Sequence, residues 1–324
     1  MENASSRLTA ELRQVIVAVN PKAGAISADD RVSRLVDLLE EQGMEVAVLS
    51  DLEEVAAQSN RLFAAGRLRT LIGVGGDGTA AELVNRTVPG VPLTVFPSGN
   101  ENLLARHFGI GPTPEECAQI VVEGAVVQCD AGRADHRVFL VMCSCGFDAD
   151  VVRTMHLHRK GHVNSASYIN PLMDTLRRYD YPELRIYWNG CGGASPAPTG
   201  PATGTAEPQG QSDGVRWLFA FNMPCYGGGL QIAPEADPAD GLLDVCTFRH
   251  GGMWHGLYYT AAVLTGTHQW LTDFGRRRTA CVRVTSDAKV PYQLDGDPGG
   301  FLPVEIAVVP KRLTLVVPQR KEMP

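Results

Sequence analysis

The chain has 324 residues, of which 44% are hydrophobic and 20% are charged, and its formal net charge is −7. This length exceeds that of most single domains, so we expect two domains with separate cores. The acidic balance argues against nucleic-acid binding, which requires clustered Lys and Arg side chains. No stretch reaches the ~20 apolar residues that span a bilayer and no signal-peptide pattern is present, so we expect a cytoplasmic protein without a transmembrane segment.

Strand and helix patterns alternate over the first third of the chain, which is typical of a parallel sheet with helices on both faces. The last helix of this region opens with a capping box, Thr113 to Glu116, and has Pro114 at its first position. The predicted strands are 14–20, 44–50, 70–76 and 92–97, and the predicted helices are 31–43, 52–66 and 113–124.

The stretch LIGVGGDGTAAELVNR at 71–86 places glycines between a strand and a helix. It matches a dinucleotide fingerprint, but it follows the third strand and no acidic residue ends the next one. A Walker loop requires Lys before the hydroxyl residue, and here Thr79 follows Gly78 directly. Two interpretations remain: a phosphate cradle, in which backbone amides and a helix start meet an anion, and a tight turn.

Two acidic residues of this stretch need separate explanations. A carboxylate in a phosphate loop is repelled by its ligand, so Asp77 suggests a metal ion or an oriented hydroxyl beside it. Thr79 and Glu82 form a Thr-x-x-Glu pattern, which predicts a second capping box at the start of the following helix.

After about residue 130 the pattern changes to short strands with alternating apolar residues, which predicts a mainly antiparallel sandwich. Helices are predicted near 163–179 and 252–274, and the Gly- and Pro-rich segment 190–214 is predicted to be a flexible loop. The apolar residues of 251–274 are expected to pack into the core rather than against a membrane; they are Trp254, Leu257, Tyr258, Ala261, Leu264 and Trp270.

The cysteines and one run of arginines allow two further predictions. The eight cysteines include no CxxC pair, which predicts neither a zinc site nor a disulfide framework. The arginines at 276–278 are predicted to form a solvated face, with a site for anionic lipid headgroups as the alternative.

Several motifs follow one another in order: VNPKAG at 19–24, GGDGTAAELVN at 75–85, PSGNENLLAR at 97–106 and DAGR at 130–133, then CGFDADVV, NMPCYGGGLQIAPEADPADGLLDV and YQLDGDPGG. Together they resemble the diacylglycerol kinase catalytic family, which includes sphingosine and ceramide kinases. The resemblance implies an α/β domain similar to that of NAD kinases and phosphofructokinases, followed by a β-sandwich. We expect a nucleotide-binding domain at 1–130 joined by about 308–324, and a lipid-substrate domain at 131–307.

The resemblance also implies which residues bind the nucleotide. The glycine stretch would bind the phosphates of ATP, accompanied by Mg²⁺. A family segment that reads Gly-Thr-Gly-Asn-Asp is Gly-Asn-Glu-Asn-Leu here, so Asn100 keeps a hydrogen-bonding group, Leu103 replaces a carboxylate, and Glu101 is its potential substitute. The implied nucleotide-site residues are Asn20, Ser50, Gly75, Gly76, Asp77, Gly78, Thr79, Glu82, Gly99, Asn100 and Asn102.

Two further segments carry implied catalytic and metal-binding residues. LDGDP resembles the family's Asp-Gly-Glu-Pro, which would make Asp297 the general base and Asp295 its neighbour; without the other motifs, a surface turn would be the preferred interpretation. Asp77 and Asp130 complete the implied catalytic set. EADPADGLLD resembles a loop that binds a structural Mg²⁺ in bacterial members, and its matching positions are Asp237, Asp240 and Leu242.

The resemblance therefore implies a lipid kinase that transfers the γ-phosphoryl group of ATP to the hydroxyl of a diacylglycerol-like or sphingoid lipid. Such an enzyme would be cytoplasmic and peripherally associated with the membrane that contains its substrate, and a homodimer is compatible with the sequence. The alternatives are a soluble kinase similar to NAD kinase, which shares the GGDGT string, and a catalytically weak nucleotide- or lipid-binding homologue.

Overall fold

The computed structural model describes residues 6–7, 11–19, 27–158, 175–189 and 211–319. The chain divides into two compact units. Unit 1 comprises the residues up to Cys129 together with those from Lys311, and unit 2 comprises Asp130–Pro310. The chain thus passes from unit 1 to unit 2 after Cys129 and returns to unit 1 within its last strand.

Unit 1 contains a parallel sheet whose central strands are apolar on both faces, as expected when helices cover both sides. Its strands are β2 (Gln14–Val19), β3 (Glu45–Leu49), β4 (Leu68–Gly75), β5 (Pro92–Pro97) and the end of the last strand. The short strand β1 (Ser6–Arg7) pairs antiparallel with Ala125 and Val126. The parallel strands lie in the order β3, β2, β4, β5, last strand, so β4 is central and buried throughout. Thr314 of the last strand lies opposite Pro92 in a parallel pair.

Five helices belong to unit 1: α1 (Ser27–Glu41), α2 (Leu52–Ala64), α3 (Asp77–Arg86), α4 (Leu103–Phe108) and α5 (Pro114–Glu123). On one face of the sheet, α1 and α5 bury Leu35, Leu39 and Val121 against Ile72 and Val74. On the other face, α3 approaches β4 so closely that a Cβ on Gly73 would lie 2.8 Å from Cδ1 of Leu83. The predicted α/β architecture is therefore confirmed.

The two predicted capping boxes have different outcomes. In α5, the Thr113 side chain accepts from the Glu116 N–H, and the Glu116 side chain accepts from the Thr113 N–H, so this capping box is present. In α3 the prediction is wrong, because the helix begins at Asp77, its N-cap is Gly76, and no side chain caps it. Glu82 instead forms an ion pair with Arg86, one turn further along α3, at 3.2 Å.

Unit 2 is a sandwich of two sheets. Its strands are β6 (Ala125–Ala134), β7 (Arg137–Phe139), β8 (Met142–Gly146), β9 (Leu184–Trp188), β10 (Gln211–Val215), β11 (Trp217–Phe221), β12 (Leu243–Phe248), β13 (Phe274–Thr279), β14 (Cys281–Thr285), β15 (Pro291–Leu294), β16 (Asp297–Phe301) and β17 (Val304–Val317). The first half of β6 and the second half of β17 belong to unit 1. One antiparallel sheet has the order β13-β12-β11-β8-β15-β16, and the other contains β10, β9, β14 and β17, with β6 beside β17. Leu218 and Val245 of the first sheet share a core with Ile186, Val282 and Ile306 of the second, which confirms the predicted sandwich.

The helices of unit 2 are α6 (Phe147–His158), a helical turn at 175–178 and α7 (Met253–Leu264). The sequence patterns did not predict α6, and most of the helix predicted near 163–179 lies outside the described residues. Of the predicted loop 190–214, residues 190–210 also lie outside them, whereas 211–214 belong to β10, so the predicted end of the loop is wrong.

The prediction that the named apolar residues of 251–274 pack into the core is wrong, because all six are exposed. Tyr259 and Val263 of α7 are buried, but the opposite side of the helix is exposed. Its exposed large apolar residues, with the 3₁₀ turn that follows, are Trp254, Leu257, Tyr258, Leu264 and Trp270. In the part of the chain that the structure describes, no helix has both the length and the apolar character needed to cross a bilayer.

Candidate active site

The predicted nucleotide-site residues of unit 1 follow the carboxyl ends of its parallel strands. Strands β3, β4 and β5 run in the same direction, so Ser50, the glycine stretch from Gly75 and the segment after Pro97 all lie at one edge of the sheet. This edge is where open parallel sheets generally bind ligands. Ser50 is exposed and follows β3. Because β2 lies between β3 and β4, Ser50 is roughly 10 Å from the glycine stretch that follows β4. Asn20 lies outside the described residues.

The two glycine-containing segments pack directly against each other. The Ser98 N–H donates to the Gly75 carbonyl at 3.1 Å. A Cβ on Gly99 would lie 2.8 Å from the Gly76 Cα, so neither position tolerates a side chain without movement of the backbone. Asn102 closes the second segment, because its side chain accepts from the Gly99 N–H at 3.1 Å and donates to the Gly99 carbonyl at 2.7 Å.

The carboxylate of Asp77 joins the starts of α3 and α4. Its two oxygens accept the N–H groups of Leu103 and Leu104 at 2.9 and 2.8 Å. Burial raises the pKa of Asp77, and these backbone hydrogen bonds oppose the shift. The sequence suggested a cation or a hydroxyl beside this carboxylate, whereas the structure supplies two amide donors. Leu103, which lacks the expected carboxyl group, contributes through its backbone.

The start of α3 has the features of an anion-binding site. Its N-cap is a glycine without a side-chain hydrogen bond, and the amino end of a ten-residue helix carries partial positive charge. The Ser98 hydroxyl is buried beside it without a hydrogen-bond partner among the described residues. Asn100 is exposed at the tip of the neighbouring segment. This place therefore has the features of a phosphate site for a nucleotide. It combines an unpaired hydroxyl, an uncapped helix start and two glycine backbones in contact.

The remaining predicted residues of this stretch differ in position. Thr79 is buried, and a Cβ on Gly75 would lie 2.6 Å from the Thr79 Cβ, so this threonine packs beneath the strand end. Gly78 lies in the first turn of α3. Glu82 lies in the second turn, where it pairs with Arg86, so the structure accounts for it without a ligand.

In unit 2, the LDGDP segment forms the turn between β15 and β16. Asp295 has a positive φ of 50°, and its carboxylate accepts the N–H groups of Leu140, Val141 and Met142 at 2.6 to 2.9 Å. Asp297 differs, because its side chain is 41% exposed and forms only a long ion pair with the Arg137 guanidinium, at 3.9 Å. One carboxylate therefore anchors the turn, and the other remains accessible.

A buried polar cluster that the motif analysis did not select supports this turn. Asp148 of α6 accepts from the Ser144 and Tyr226 hydroxyls and from the Gln293 amide at 3.0 Å. The Gln293 side chain also accepts the Gly296 N–H at 2.8 Å. The signal in the sequence is a polar residue within an otherwise apolar strand, as at Ser144 in β8 and Gln293 in β15.

Asp130 lies in the interior of unit 2 beside the EADPADGLLD loop. It is 4% exposed, and its side chain accepts the Gly241 N–H at 2.7 Å. Its carbonyl accepts from the Asn222 side chain at 3.0 Å, and its N–H donates to the Pro238 carbonyl. These contacts tie Asp130 to the loop, and its implied catalytic role stays a prediction.

The carboxylates of this loop are already engaged in contacts within the protein, and the predicted Mg²⁺ site at Asp237, Asp240 and Leu242 stays a prediction. Asp237 accepts the Ala239 N–H at 3.0 Å, and Asp240 accepts the Leu242 N–H at 2.9 Å. The second oxygen of Asp240 contacts the Arg278 guanidinium, which already supplies the positive charge a cation would bring. In the described ranges, no cluster of three or more His, Cys, Asp or Glu residues is arranged to hold a metal ion.

A cavity of about 690 Å³ lies in unit 2 at the far end of the β15–β16 hairpin, and its size is typical of small-molecule sites. Leu157 and Phe301 contribute apolar surface to it, whereas Asp150, Arg153 and Lys289 contribute charge. Because β16 runs from Asp297 to Phe301, the accessible carboxylate lies roughly 13 Å from the cavity along this strand.

Comparison with protein families accounts for most of the chain. The family model described as diacylglycerol kinase catalytic domain matches residues 14–134, and the model described as YegS C-terminal NAD kinase beta sandwich-like domain matches residues 141–317. The chain belongs to the diacylglycerol kinase family.

Similar proteins of this family cover the chain nearly end to end. A diacylglycerol kinase of Mycobacterium tuberculosis is 28% identical over 322 residues, covering 95% of this chain and 96% of that protein. A diacylglycerol kinase of Bacillus subtilis is 22% identical over 319 residues, covering 96% and 98%. The resemblance to the diacylglycerol kinase family is therefore confirmed.

Solved structures show the same fold. A diacylglycerol kinase of Bacillus anthracis superimposes with a TM-score of 0.68 at 18% identity, covering 96% of this chain and 99% of that one. An NAD kinase of Archaeoglobus fulgidus, solved in complex with ATP, gives a TM-score of 0.50 at 11% identity and covers 95% of each chain. These likenesses support the expected relation of the diacylglycerol kinase fold to that of NAD kinases.

Proposed function

We propose that this protein is a lipid kinase that transfers the γ-phosphoryl group of ATP to the hydroxyl of a diacylglycerol-like or sphingoid lipid. The observation that carries the proposal is the uncapped start of α3, packed against the Gly99 segment, in a member of the diacylglycerol kinase family. Its relatives of similar length in Mycobacterium tuberculosis and Bacillus subtilis are named diacylglycerol kinases.

In this proposal, unit 1 binds the nucleotide. The α3 start, the Ser98 hydroxyl and Asn100 would contact the phosphates, while Asp77 positions them by holding α3 and α4 together. Mg²⁺, when bound with ATP, neutralises phosphate charge. A second, structural Mg²⁺ at Asp240 would have to displace the Arg278 guanidinium that pairs with this residue.

Unit 2 would supply the proton acceptor and the lipid site. The lipid hydroxyl oxygen forms a bond to the γ-phosphorus, the bond from that phosphorus to the bridging oxygen of ADP breaks, and the hydroxyl proton moves to Asp297. Asp297 suits this role better than Asp295, because Asp295 already accepts three backbone N–H groups. The cavity beside Phe301 would hold the apolar part of the lipid.

The substrate sets the cellular location that we propose. A kinase whose acceptor is anchored in a bilayer must reach the lipid surface, so we infer a cytoplasmic protein with peripheral membrane association. Unit 1 would then act as the nucleotide-binding domain and unit 2 as the lipid-substrate domain.

The test measures phosphate transfer from labelled ATP to diacylglycerol, sphingoid bases, ceramide and NAD. We expect transfer to one lipid class. Asp297→Asn is expected to lower kcat at least 100-fold with an unchanged melting temperature. Asp295→Asn, the matched control, removes an anchor of the turn and should lower the melting temperature.

The results separate the alternatives clearly. Transfer to NAD but to no lipid would overturn the lipid kinase assignment. If Asp295→Asn abolished kcat while the melting temperature and the activity of Asp297→Asn stayed at wild-type values, Asp295 would be the base.

A further inference from the structure

Helix α7 is rich in apolar residues on both its buried and its exposed side, and His255 and Thr260 are polar residues of the exposed side. Tyr259 and Val263 face the interior, where the Tyr259 ring lies 4.6 Å from that of Phe248. The other side presents Trp254, Leu257, Tyr258, Ala261 and Leu264 to solvent, at the spacing of a helical stripe. Apolar helix surfaces are normally buried, so we expect another molecule to cover the exposed side.

The exposed surface is large for a monomer. Trp254 and Trp270 are 75% and 82% exposed, and together they leave roughly 300 Å² of side-chain surface in water. Leu257, Tyr258 and Leu264 enlarge the patch beyond this value. Apolar patches of several hundred Å² generally mark protein or membrane interaction sites. We call these five residues the α7 patch.

The composition around the α7 patch suits the interface of a lipid bilayer. Residues 250–272 contain no Asp, Glu, Lys or Arg. The hydroxyls of Thr260 and Thr265 donate to carbonyl oxygens four residues earlier, at 2.8 and 2.9 Å, so they bring no unpaired donor to the surface. Trp and Tyr side chains are the residues that concentrate at the level of lipid headgroups.

One cationic side chain flanks the α7 patch. Arg276 and Arg278 are paired with Glu235, Asp244 and Asp240, and the Arg277 guanidinium lies over the Trp188 ring on the opposite face of β13. Arg249, next to the turn before α7, is exposed and has no ion pair among the described residues. An anionic bilayer offers the opposite sign to this arginine.

The α7 patch also adjoins the cavity of unit 2. Leu176 and Tyr181 contact α7 and the turn before it, since a Cβ on Gly256 would lie 2.8 Å from Leu176 Cδ2 and a Cβ on Gly251 would overlap Tyr181. The same short segment contributes Arg178, Tyr179 and Pro182 to the cavity wall. One segment therefore separates the exposed apolar surface from the space assigned to the lipid.

We propose that the α7 patch docks the protein onto a bilayer containing anionic lipid, with Trp254 and Trp270 inserted at the headgroup level. This inference rests on the proposed lipid kinase function for its biological purpose, but docking can be measured without catalysis.

Intrinsic fluorescence provides the direct test, because the other tryptophans, Trp188 and Trp217, are each only 7% exposed. On addition of phosphatidylcholine/phosphatidylglycerol vesicles, we expect a blue shift of the emission and quenching by lipids brominated near the headgroup. Trp254→Ala/Trp270→Ala should lower the vesicle partition coefficient roughly tenfold or more. Val88→Ala, an exposed apolar residue of unit 1, is the matched control and should bind as wild type. All variants should keep the wild-type melting temperature.

The outcomes distinguish docking from catalysis. Absence of quenching, or equal partitioning of the double variant, would overturn the docking proposal even if lipid is phosphorylated. Dimers that form without vesicles and dissociate in the double variant would show that a second copy covers the patch instead. Quenching without turnover of any lipid would support docking and refute the kinase proposal. If both proposals hold, the double variant should lose activity on vesicle-embedded substrate and retain it on a short-chain, water-dispersed one.

Discussion

Gly75 and Gly76 perform different tasks at the end of β4. A Cβ on Gly75 would meet the buried Thr79 side chain, so Gly75 allows α3 to fold back onto its strand. Gly76 meets the backbone of Gly99 and leaves the helix start without a side-chain cap. One glycine thus serves packing, and the other serves the proposed contact with phosphate.

We expect Gly75→Ala to destabilise the protein by about 2 kcal/mol, because the added methyl group overlaps Thr79 in a closely packed interior. Chemical denaturation of the variant and the wild type measures the difference. Gly227→Ala is the control, since no atom lies within 4 Å of its Cβ position, and we expect a change below about 0.5 kcal/mol. Equal stability of both variants would show that α3 can shift away from β4.

At the scale of elements, the start of α5 shows what a local pattern can predict. The Thr113–Glu116 capping box involves only neighbouring residues, and it is present. The Thr79–Glu82 pattern has the same spacing but fails, because the contact of Gly75 and Gly76 with neighbouring parts of unit 1 determines where α3 begins. Local hydrogen-bonding patterns are reliable where no tertiary contact competes with them.

We expect Thr113→Ala to destabilise the protein by about 1 kcal/mol at pH 7. Hydrogen bonds from Thr113 lower the pKa of Glu116, so the folded state binds fewer protons here than the unfolded chain does. This contribution is present above the ordinary carboxyl pKa of 4.5 and is lost as the pH falls through the lowered folded-state value. Denaturation at pH 7 and pH 3 measures it. An equal loss at both pH values would contradict the ionised capping box.

At the scale of the whole molecule, the nucleotide proposal concerns unit 1 and the docking proposal concerns unit 2. The two can therefore be examined with different ligands. A ligand that binds only the folded state raises stability according to its concentration relative to its Kd.

We expect ATP at about 100 times its Kd to stabilise the protein by about 2.7 kcal/mol, visible as a higher melting temperature, in the absence of any lipid. Asn100→Ala, at the exposed tip of the second glycine segment, should reduce this shift, measured relative to the melting temperature of the same variant without ATP. Trp254→Ala serves as the control, because this residue belongs to unit 2. If ATP produced no shift in the wild-type protein, the proposed phosphate site would be refuted.

The sequence by itself determined the fold class and the family, because both depend on patterns that survive in the order of the chain. The alternation of strand and helix patterns predicted the parallel sheet, and short strands with alternating apolar residues predicted the sandwich. The ordered motifs identified the family that the comparisons confirm. Short elements were missed: α6 and the β15–β16 hairpin are held together by the contact between Asp148 and Gln293, which are distant in sequence.

Only the tertiary structure decided how individual residues act. The three amide donors to Asp295, the ion pair between Arg278 and Asp240, and the amides that hold Asp77 come from segments far away in the chain. The two sides of α7 are similarly apolar in sequence, so periodicity could not tell which side the protein covers. That depends on which surfaces the folded chain brings together, and the exposed tryptophans of α7 are visible only there.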